Sequence, residues 1–242
     1  MSVTICFDFG NTRKKAAIFY DKKLSQTIVL EDDAITTLQK LLDTHKPEKT
    51  ILSSVINHNA EIETLLTEKT RFHLLSSKSK LPFTTPIAKP EAIGADRLAM
   101  ASGGVAFYPD KNLLIIGLGT CITLNFVNKY KEWMGGSISP GLEMRLKSLQ
   151  HYTAKLPLVS PKADVPLIGY DTDTNILSGV ILGMAYELDG FIAEYNAKFD
   201  NFNVVLTGGD HQHLASHLKN RIFADPDLIF KGLYAISEVN NA

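Results

Sequence analysis

The sequence predicts an α/β protein made of two similar halves that face a shared cleft. Two short glycine turns lead to this prediction, because each turn joins two apolar runs of strand length. The first turn is Asp-Phe-Gly-Asn-Thr at 8–12, and the second is Gly-Leu-Gly-Thr-Cys at 117–121. Short apolar runs beside glycine are typical of buried strands. Backbone N–H groups in such turns form concave anion sites, so the pair indicates nucleotide phosphate binding.

In the first half, strands alternate with helical patterns, which favours an α/β sheet. The expected strands are Val3–Asp8, Lys15–Tyr20, Leu24–Leu30, Thr50–Ser54 and Arg71–Leu75. Helices are expected over 33–44 and 60–68, and a helix of small residues is expected to end near Phe107. A turn cluster, Pro-Asp-Lys-Asn at 109–112, marks the domain boundary. The expected domains are therefore 1–110 with the first phosphate turn and 111–242 with the second.

The second half restarts with strands over 113–116 and 122–127. A glycine cluster at 135–141 then leads into an expected helix, Leu142–His151, and the cluster itself is either a structural loop or part of a site. A later strand at 204–207 runs into Thr-Gly-Gly-Asp at 207–210, a turn that lets a planar base or a ribose lie against the backbone.

One long helix carries a narrow apolar stripe. Its members are Leu177, Ile181, Met184, Leu188, Phe191 and Tyr195, at steps of four and three residues. A core helix gives this pattern, and so does a partner helix across a dimer. We expect the stripe to lie at or beside a two-fold interface.

Composition narrows the class of protein. Of 242 residues, 45% are hydrophobic and 21% are charged, the net charge is −1, and no long basic run is present, which argues against nucleic-acid binding. Cys6 and Cys121 lie in apolar strands and are expected to be reduced core thiols. The longest apolar helical segment carries Glu187 and Asp189, so no membrane span is expected. We therefore expect a cytoplasmic enzyme or binding protein.

Two carboxylates are candidate functional groups. Asp8 ends the first strand, where it can hold Mg²⁺ or a water that bridges to phosphates, although aspartate is also common in turns. Asp96 and Arg97 open a helix after a loop rich in Ser, Thr, Lys and Pro. Asp96 is a candidate base and Arg97 an anchor for an anionic group, while the alternative for Asp96 is a favourable interaction with the helix dipole.

Five segments together resemble the type III pantothenate kinase family, also described as Bvg accessory factor-like. In order, they are DFGNT, GADR, GLGTCIT, GGSISPG and TGGD, and the resemblance covers nearly the whole chain. The family belongs to the actin/Hsp70/sugar-kinase superfamily, which implies two ribonuclease-H-like domains. The resemblance implies phosphorylation of pantothenate to 4'-phosphopantothenate with ATP and Mg²⁺, the first step of coenzyme A synthesis. It also implies a homodimer with substrate pockets at the interface.

The resemblance also assigns residues. Asp96 would accept the substrate proton, and Asp8 would act beside it with Mg²⁺. The implied ATP-binding residues are Asp8, Phe9, Gly10, Asn11, Thr12, Arg13, Lys14, Lys15, Thr120, Gly208 and Gly209. The implied pantothenate-binding residues are Gly94, Ala95, Asp96, Arg97 and Thr172.

Two positions depart from the family pattern. The second turn of the family has an aspartate that helps bind a monovalent cation, K⁺ or NH₄⁺, and here that position is Gly117. A substrate-contacting tyrosine of the family is replaced by Ile87. These changes predict altered cation use, a shifted substrate or reduced activity. Two other functions therefore stay open: a nucleotide-binding accessory or regulatory protein without catalysis, and a kinase of a related small metabolite.

Overall fold

The computed structural model describes residues 2–162 and 164–241. Within them the chain forms an alternating series of strands and helices that confirms the α/β class. The strands are β1 Val3–Phe9, β2 Lys14–Tyr20, β3 Lys23–Val29, β4 Lys49–Ser54, β5 Arg71–Leu74, β6 Asn112–Leu118, β7 Cys121–Val127, β8 Trp133–Pro140, β9 Phe202–Thr207 and β10 Phe223–Ala224. The helices are α1 Ile35–His45, α2 Ala60–Lys69, α3 Ala95–Phe107, α4 Leu142–Tyr152, α5 Thr172–Leu177, α6 Gly183–Lys198, α7 His211–Leu214 and α8 Leu228–Asn240.

The chain divides into two compact units. Unit 1 comprises the described residues of Met1–Pro109, Tyr130–Met134 and Asp227–Ala242, and unit 2 comprises those of Asp110–Lys129 and Gly135–Pro226. Relative to the expected division into 1–110 and 111–242, the last helix belongs with the first half of the chain. The physical reason is close packing of α8 on α3, where a β-carbon on Gly232 would overlap the carbonyl oxygen of Ala99.

Unit 1 is built on a five-stranded sheet in the order β3-β2-β1-β4-β5. β1 pairs antiparallel with β2 and parallel with β4. Alternate β1 side chains point to opposite faces. Ile5 and Phe7 pack into the core with Leu38 of α1 and Ile62 of α2. The other face carries Asp8.

Helices α3 and α8 cover the Asp8 face of this sheet. Phe19 of β2 stacks on Tyr234 of α8 with ring centroids 4.5 Å apart. Lys49 of β4 forms an ion pair with Glu238 of α8, with Nζ and Oε1 2.9 Å apart. This packing fixes the N-terminus of α3 on the face that presents Asp8.

Unit 2 repeats the strand order of unit 1. Its sheet runs β10-β9-β6-β7-β8, with β6 central, antiparallel to β7 and parallel to β9. Counted from the start of each half, both sheets have the order 3-2-1-4-5. The glycine cluster at 135–141 forms most of β8 and is not a loop, because Gly136, at φ +155°, brings the strand against the backbone of Leu124.

The apolar stripe on the long helix lies in the core of unit 2. Leu177, Ile181, Met184 and Leu188 are all at most 1% exposed and pack with β6 and β7 side chains. These four residues therefore do not form a two-fold interface, because their own sheet already buries them, whereas Phe191 of the same stripe is 37% exposed. An interface beside the stripe stays a prediction. By length and composition alone the continuous helix Thr172–Lys198 could cross a membrane, but its buried stripe gives it the packing of a core helix.

Candidate active site

The first glycine turn connects β1 and β2 and places Asp8 in a row across the sheet. The N–H of Gly10 donates to the carbonyl oxygen of Arg13 at 3.1 Å, which closes the turn. Asp8 lies opposite Lys15 on β2 and opposite Ser53 on β4. The Ser53 hydroxyl is fully buried and has no hydrogen-bond partner among the described residues. The row therefore joins a carboxylate, an ammonium group and an uncommitted hydroxyl.

The Asp8 carboxyl group has an unusual proton affinity. Burial and, to a smaller extent, the negative charge of Asp96 raise the pKa of Asp8 to about 7, while Lys15 acts in the opposite direction. Burial dominates because removing a carboxylate from water disfavours its charged form. A cation beside Asp8 would reverse this effect, which fits the hard-oxygen chemistry of Mg²⁺.

Asp96 lies at the first turn of α3 and owes its position to Gly94. The carbonyl oxygen of Gly94 accepts from the N–H groups of Arg97 at 3.0 Å and Leu98 at 3.1 Å, so the helix begins there. A β-carbon on Gly94 would lie 2.6 Å from Oδ1 of Asp96, so only glycine leaves this carboxylate its space. Burial raises the pKa of Asp96, while backbone N–H donors and Arg97 lower it. The result is a more basic carboxylate.

Arg97 is held between a carboxylate and an aromatic ring. Its guanidinium carbon lies 5.0 Å from the centre of the Trp133 ring. Burial lowers the pKa of Arg97, and the charge of Asp96 raises it. Asp8, Lys15, Asp96 and Arg97 all belong to unit 1, and the charges of Asp96 and Lys15 both act on the pKa of Asp8. Sequence reasoning missed Trp133, which is distant from Arg97 in the chain.

Other residues of the first turn take different positions. Phe9 is fully buried in the core, so only its backbone could face a nucleotide. The ammonium group of Lys14 pairs with Asp33 at 3.0 Å. Asn11, Thr12 and Arg13 are exposed at the tip of the turn.

In unit 2, three glycine-bearing segments converge on the second turn. The N–H of Gly119 donates to Cys121, and that of Gly141 donates to the carbonyl oxygen of Thr120, both at 3.1 Å. Gly208 has φ +99°, and a β-carbon there would overlap the carbonyl oxygen of Leu118. The turn that ends β9, which includes Gly208 and Gly209, therefore lies directly against the turn that carries Thr120.

Gly117 lies on β6 between two threonines. It pairs with Thr123 on β7 and Thr207 on β9, which are 7% and 2% exposed. Among these described residues no carboxylate replaces the missing aspartate. No cluster of three or more His, Cys, Asp or Glu side chains that could hold a metal ion exists in residues 2–162 and 164–241. The described protein thus offers no dedicated cage, and a divalent ion would need phosphate oxygens to complete its shell.

Thr172 lines a cavity of about 640 Å³ in unit 2. It is the first residue of α5, which is held by a capping box in which Asp171 accepts from the N–H of Thr174 at 2.7 Å. The cavity is also lined by Arg145, Ser148 and Asn175 and by apolar side chains of α4 and the long helix. A mixed polar and apolar lining suits a small organic molecule.

Proteins of known structure have a similar fold. A Baf family protein from Campylobacter jejuni, described as a putative transcriptional activator, has a similar fold, with a TM-score of 0.62 and 23% identity over 98% of each chain. An inorganic polyphosphate/ATP-glucomannokinase from Arthrobacter aligns with a TM-score of 0.51 and 14% identity, covering 99% of this chain and 98% of the other. The duplicated sheets and paired glycine turns define a protein of the actin/Hsp70/sugar-kinase fold class.

Sequence relatives identify the family. A model of the type III pantothenate kinase family matches residues 4–194. Type III pantothenate kinases from Christiangramia forsetii and Bacteroides fragilis are 40% and 36% identical, over 98% and 99% of this chain and 99% of each relative. The chain belongs to the type III pantothenate kinase family, and the predicted resemblance is confirmed. The protein is therefore a kinase.

Proposed function

We propose that this protein transfers the terminal phosphoryl group of ATP to the primary hydroxyl of pantothenate, the first step of coenzyme A synthesis. One observation carries the proposal. Two carboxylates of unit 1, Asp8 and Asp96, are largely removed from water, burial raises the pKa of both, and the charge of Asp96 adds to the rise at Asp8. A phosphoryl-transfer site needs such groups, one to bind the metal–nucleotide complex and one to accept a proton.

Asp96 is the proposed base. Its raised pKa makes it a better proton acceptor than an exposed aspartate, and the absence of a β-carbon at Gly94 leaves room for its Oδ1 at the start of α3. It takes the proton of the pantothenate hydroxyl as the oxygen attacks phosphorus. General-base catalysis of this kind contributes about 10²–10⁴-fold in rate. Arg97 orients the substrate, because guanidinium binds carboxylate through two parallel hydrogen bonds.

The remaining assignments follow the two turns. Asp8 would hold the Mg²⁺ that ATP carries, and this ion would neutralise charge on the phosphates. Phosphate oxygens accept from the turn that includes Gly10, Asn11 and Thr12 and from Lys15, and Thr120 contributes in the second turn. Gly208 and Gly209 provide a flat backbone surface for adenosine. Gly94, Ala95, Asp96, Arg97 and Thr172 bind pantothenate.

The protein binds a monovalent cation, K⁺ or NH₄⁺, more weakly than it would if the second turn contained an aspartate. Gly117 supplies no side-chain oxygen, and the neighbouring Thr123 and Thr207 are neutral. Hard cations bind anionic oxygen more strongly than hydroxyl groups. We therefore propose turnover that depends little on K⁺.

We also propose a cytoplasmic homodimer, with an interface on unit 2 that differs from the stripe. Large apolar side chains are exposed on β8, on α4 and in the segment 153–171. Exposure reaches 61% for Ile138 and about four-fifths for Tyr152, Ile168 and Tyr170. An exposed apolar surface of this kind is typical of a protein–protein interface.

Two alternatives have support from particular residues. Gly117 favours a nucleotide-binding regulatory protein, and Ile87 favours a kinase of a related small alcohol. The deciding experiment measures ATP turnover by the purified protein with pantothenate and with a panel of small alcohols, with and without K⁺ or NH₄⁺. Turnover specific for pantothenate supports the proposal. Nucleotide binding without turnover supports the regulatory alternative, and preference for another alcohol supports the alternative of a kinase for a related small alcohol.

A further inference from the structure

Arg97 occupies a position at the start of a helix where a positive charge is electrostatically unfavourable. It is the third residue of α3, and the N-terminus of a helix carries partial positive charge that repels arginine. The side chain is also half-buried. A residue that breaks a local rule is typical of a functional position whose neighbours compensate. One such neighbour is Asp96, and the other is Trp133.

Trp133 is buried in unit 1, and hydrogen bonds hold its backbone in place. It is 2% exposed. Its backbone N–H donates to the carbonyl oxygen of Thr84 at 2.7 Å, and its own carbonyl oxygen accepts from the hydroxyl of Thr85 at 2.9 Å. The ring is therefore fixed, and the loop that carries Ile87 is tied to the same backbone, because the N–H of Ile87 donates to the Thr85 hydroxyl at 3.2 Å.

The indole has one feature that packing alone does not require. Its Nε1–H is buried and has no hydrogen-bond partner among the described residues. An unpaired buried donor lowers stability, and an apolar ring such as phenylalanine has no donor to leave unpaired. What indole offers beyond volume is the strongest cation-binding face of any side chain. The Arg97 guanidinium lies over that face, 5.0 Å from its centre.

We infer that Trp133 is a positioning residue whose indole face holds the Arg97 guanidinium in the orientation that binds the carboxylate of the substrate. The inference rests on the proposed function, because it takes Arg97 to bind pantothenate. A desolvated cation–π contact restricts the guanidinium through its flat face. The contact therefore does not compete with a carboxylate, which binds the N–H donors at the edge of the group.

Fluorinated tryptophan gives a test that does not disturb the fold. The chain contains one tryptophan, so biosynthetic incorporation changes Trp133 alone. Each added fluorine draws electron density from the ring face and weakens its attraction for a cation. Across analogues with one, two and three fluorines, we expect the KM for pantothenate to rise stepwise, by about 3- to 30-fold in total. The KM for ATP and kcat should stay within about twofold, since neither depends on this contact.

Substitutions add a matched control. Trp133→Leu should raise the KM for pantothenate, Trp133→Phe should raise it less, and the effect of Trp133→Leu should disappear in an Arg97→Met background. Phe107→Leu removes a second cation–π contact on α3, where Lys231 lies 5.4 Å from the ring, and should leave the KM unchanged.

The outcomes separate the two proposals. If turnover is normal and the KM for pantothenate does not change with fluorination, the role of Trp133 is overturned and the proposed function is unaffected. Absence of pantothenate phosphorylation by the unlabelled protein overturns the proposed function, and the positioning role falls with it.

Discussion

Replacing Asp8 with asparagine should stabilise the protein while abolishing most of its activity. The pKa of Asp8 is about 7 in the folded state, against 3.8 for an unperturbed aspartate. The folded state therefore binds the proton more tightly, and stability from this group is complete below about pH 4 and is lost as the pH rises through 7. A shift of about three units corresponds to about 4 kcal/mol at most. Asparagine carries no charge and avoids this loss.

Urea unfolding of the wild type and Asp8→Asn at several pH values measures the effect. The stability advantage of the variant should be small near pH 4, grow between pH 4 and 7, and stay constant above that. Asp43→Asn, an exposed position on α1, is the control and should show no such growth. If Asp8→Asn gains no stability between about pH 5 and pH 8, the carboxylate is not destabilised by burial and by Asp96, and the reasoning about this site is wrong.

Three further predictions concern the same chemistry. Asp96→Asn should keep the fold and nucleotide affinity but lose about 10²–10⁴-fold in kcat, and near-normal turnover would remove Asp96 from the role of base. Gly94→Ala should displace the Asp96 carboxylate and lower kcat by up to about 10²-fold with little change in melting temperature. Its control is Gly190→Ala on α6, where an added β-carbon meets open space. Equal kcat values for the two variants would contradict the steric argument. Gly117→Asp should create or strengthen activation by K⁺ at constant ionic strength, whereas strong K⁺ activation of the unmodified protein would show that the missing aspartate does not decide cation use.

The fold was predictable where its signals are local. The strands beside Gly10 and Gly119 follow from short apolar runs, and the two turns follow from glycine next to small polar residues. The Gly94–Arg97 segment combines glycine with opposite charges at a helix start, and this combination alone indicates a candidate site. These features depend on neighbours in the chain, so the sequence contains them.

The sequence-based predictions failed where contacts between residues far apart in the chain determine the structure. Helical periodicity places Ile181 and Leu188 on one face, but a face buried by its own sheet and a face buried by a partner give the same pattern. The glycines of 135–141 are compatible with a loop, and only the close approach of β7 makes them a strand. The contact between Arg97 and Trp133 joins two parts of the chain with no common motif. Helix α8 is absent from the sequence prediction, although its apolar residues recur at helical spacing.

Phosphorus NMR of a reaction containing the protein, MgATP and pantothenate tests the central claim most directly. Loss of the terminal ATP resonance should be matched by a new phosphomonoester signal on pantothenate, and Asp96→Asn should suppress that signal while still binding ATP. Release of inorganic phosphate alone, or an Asp96→Asn variant that forms the phosphomonoester at the normal rate, would contradict the account.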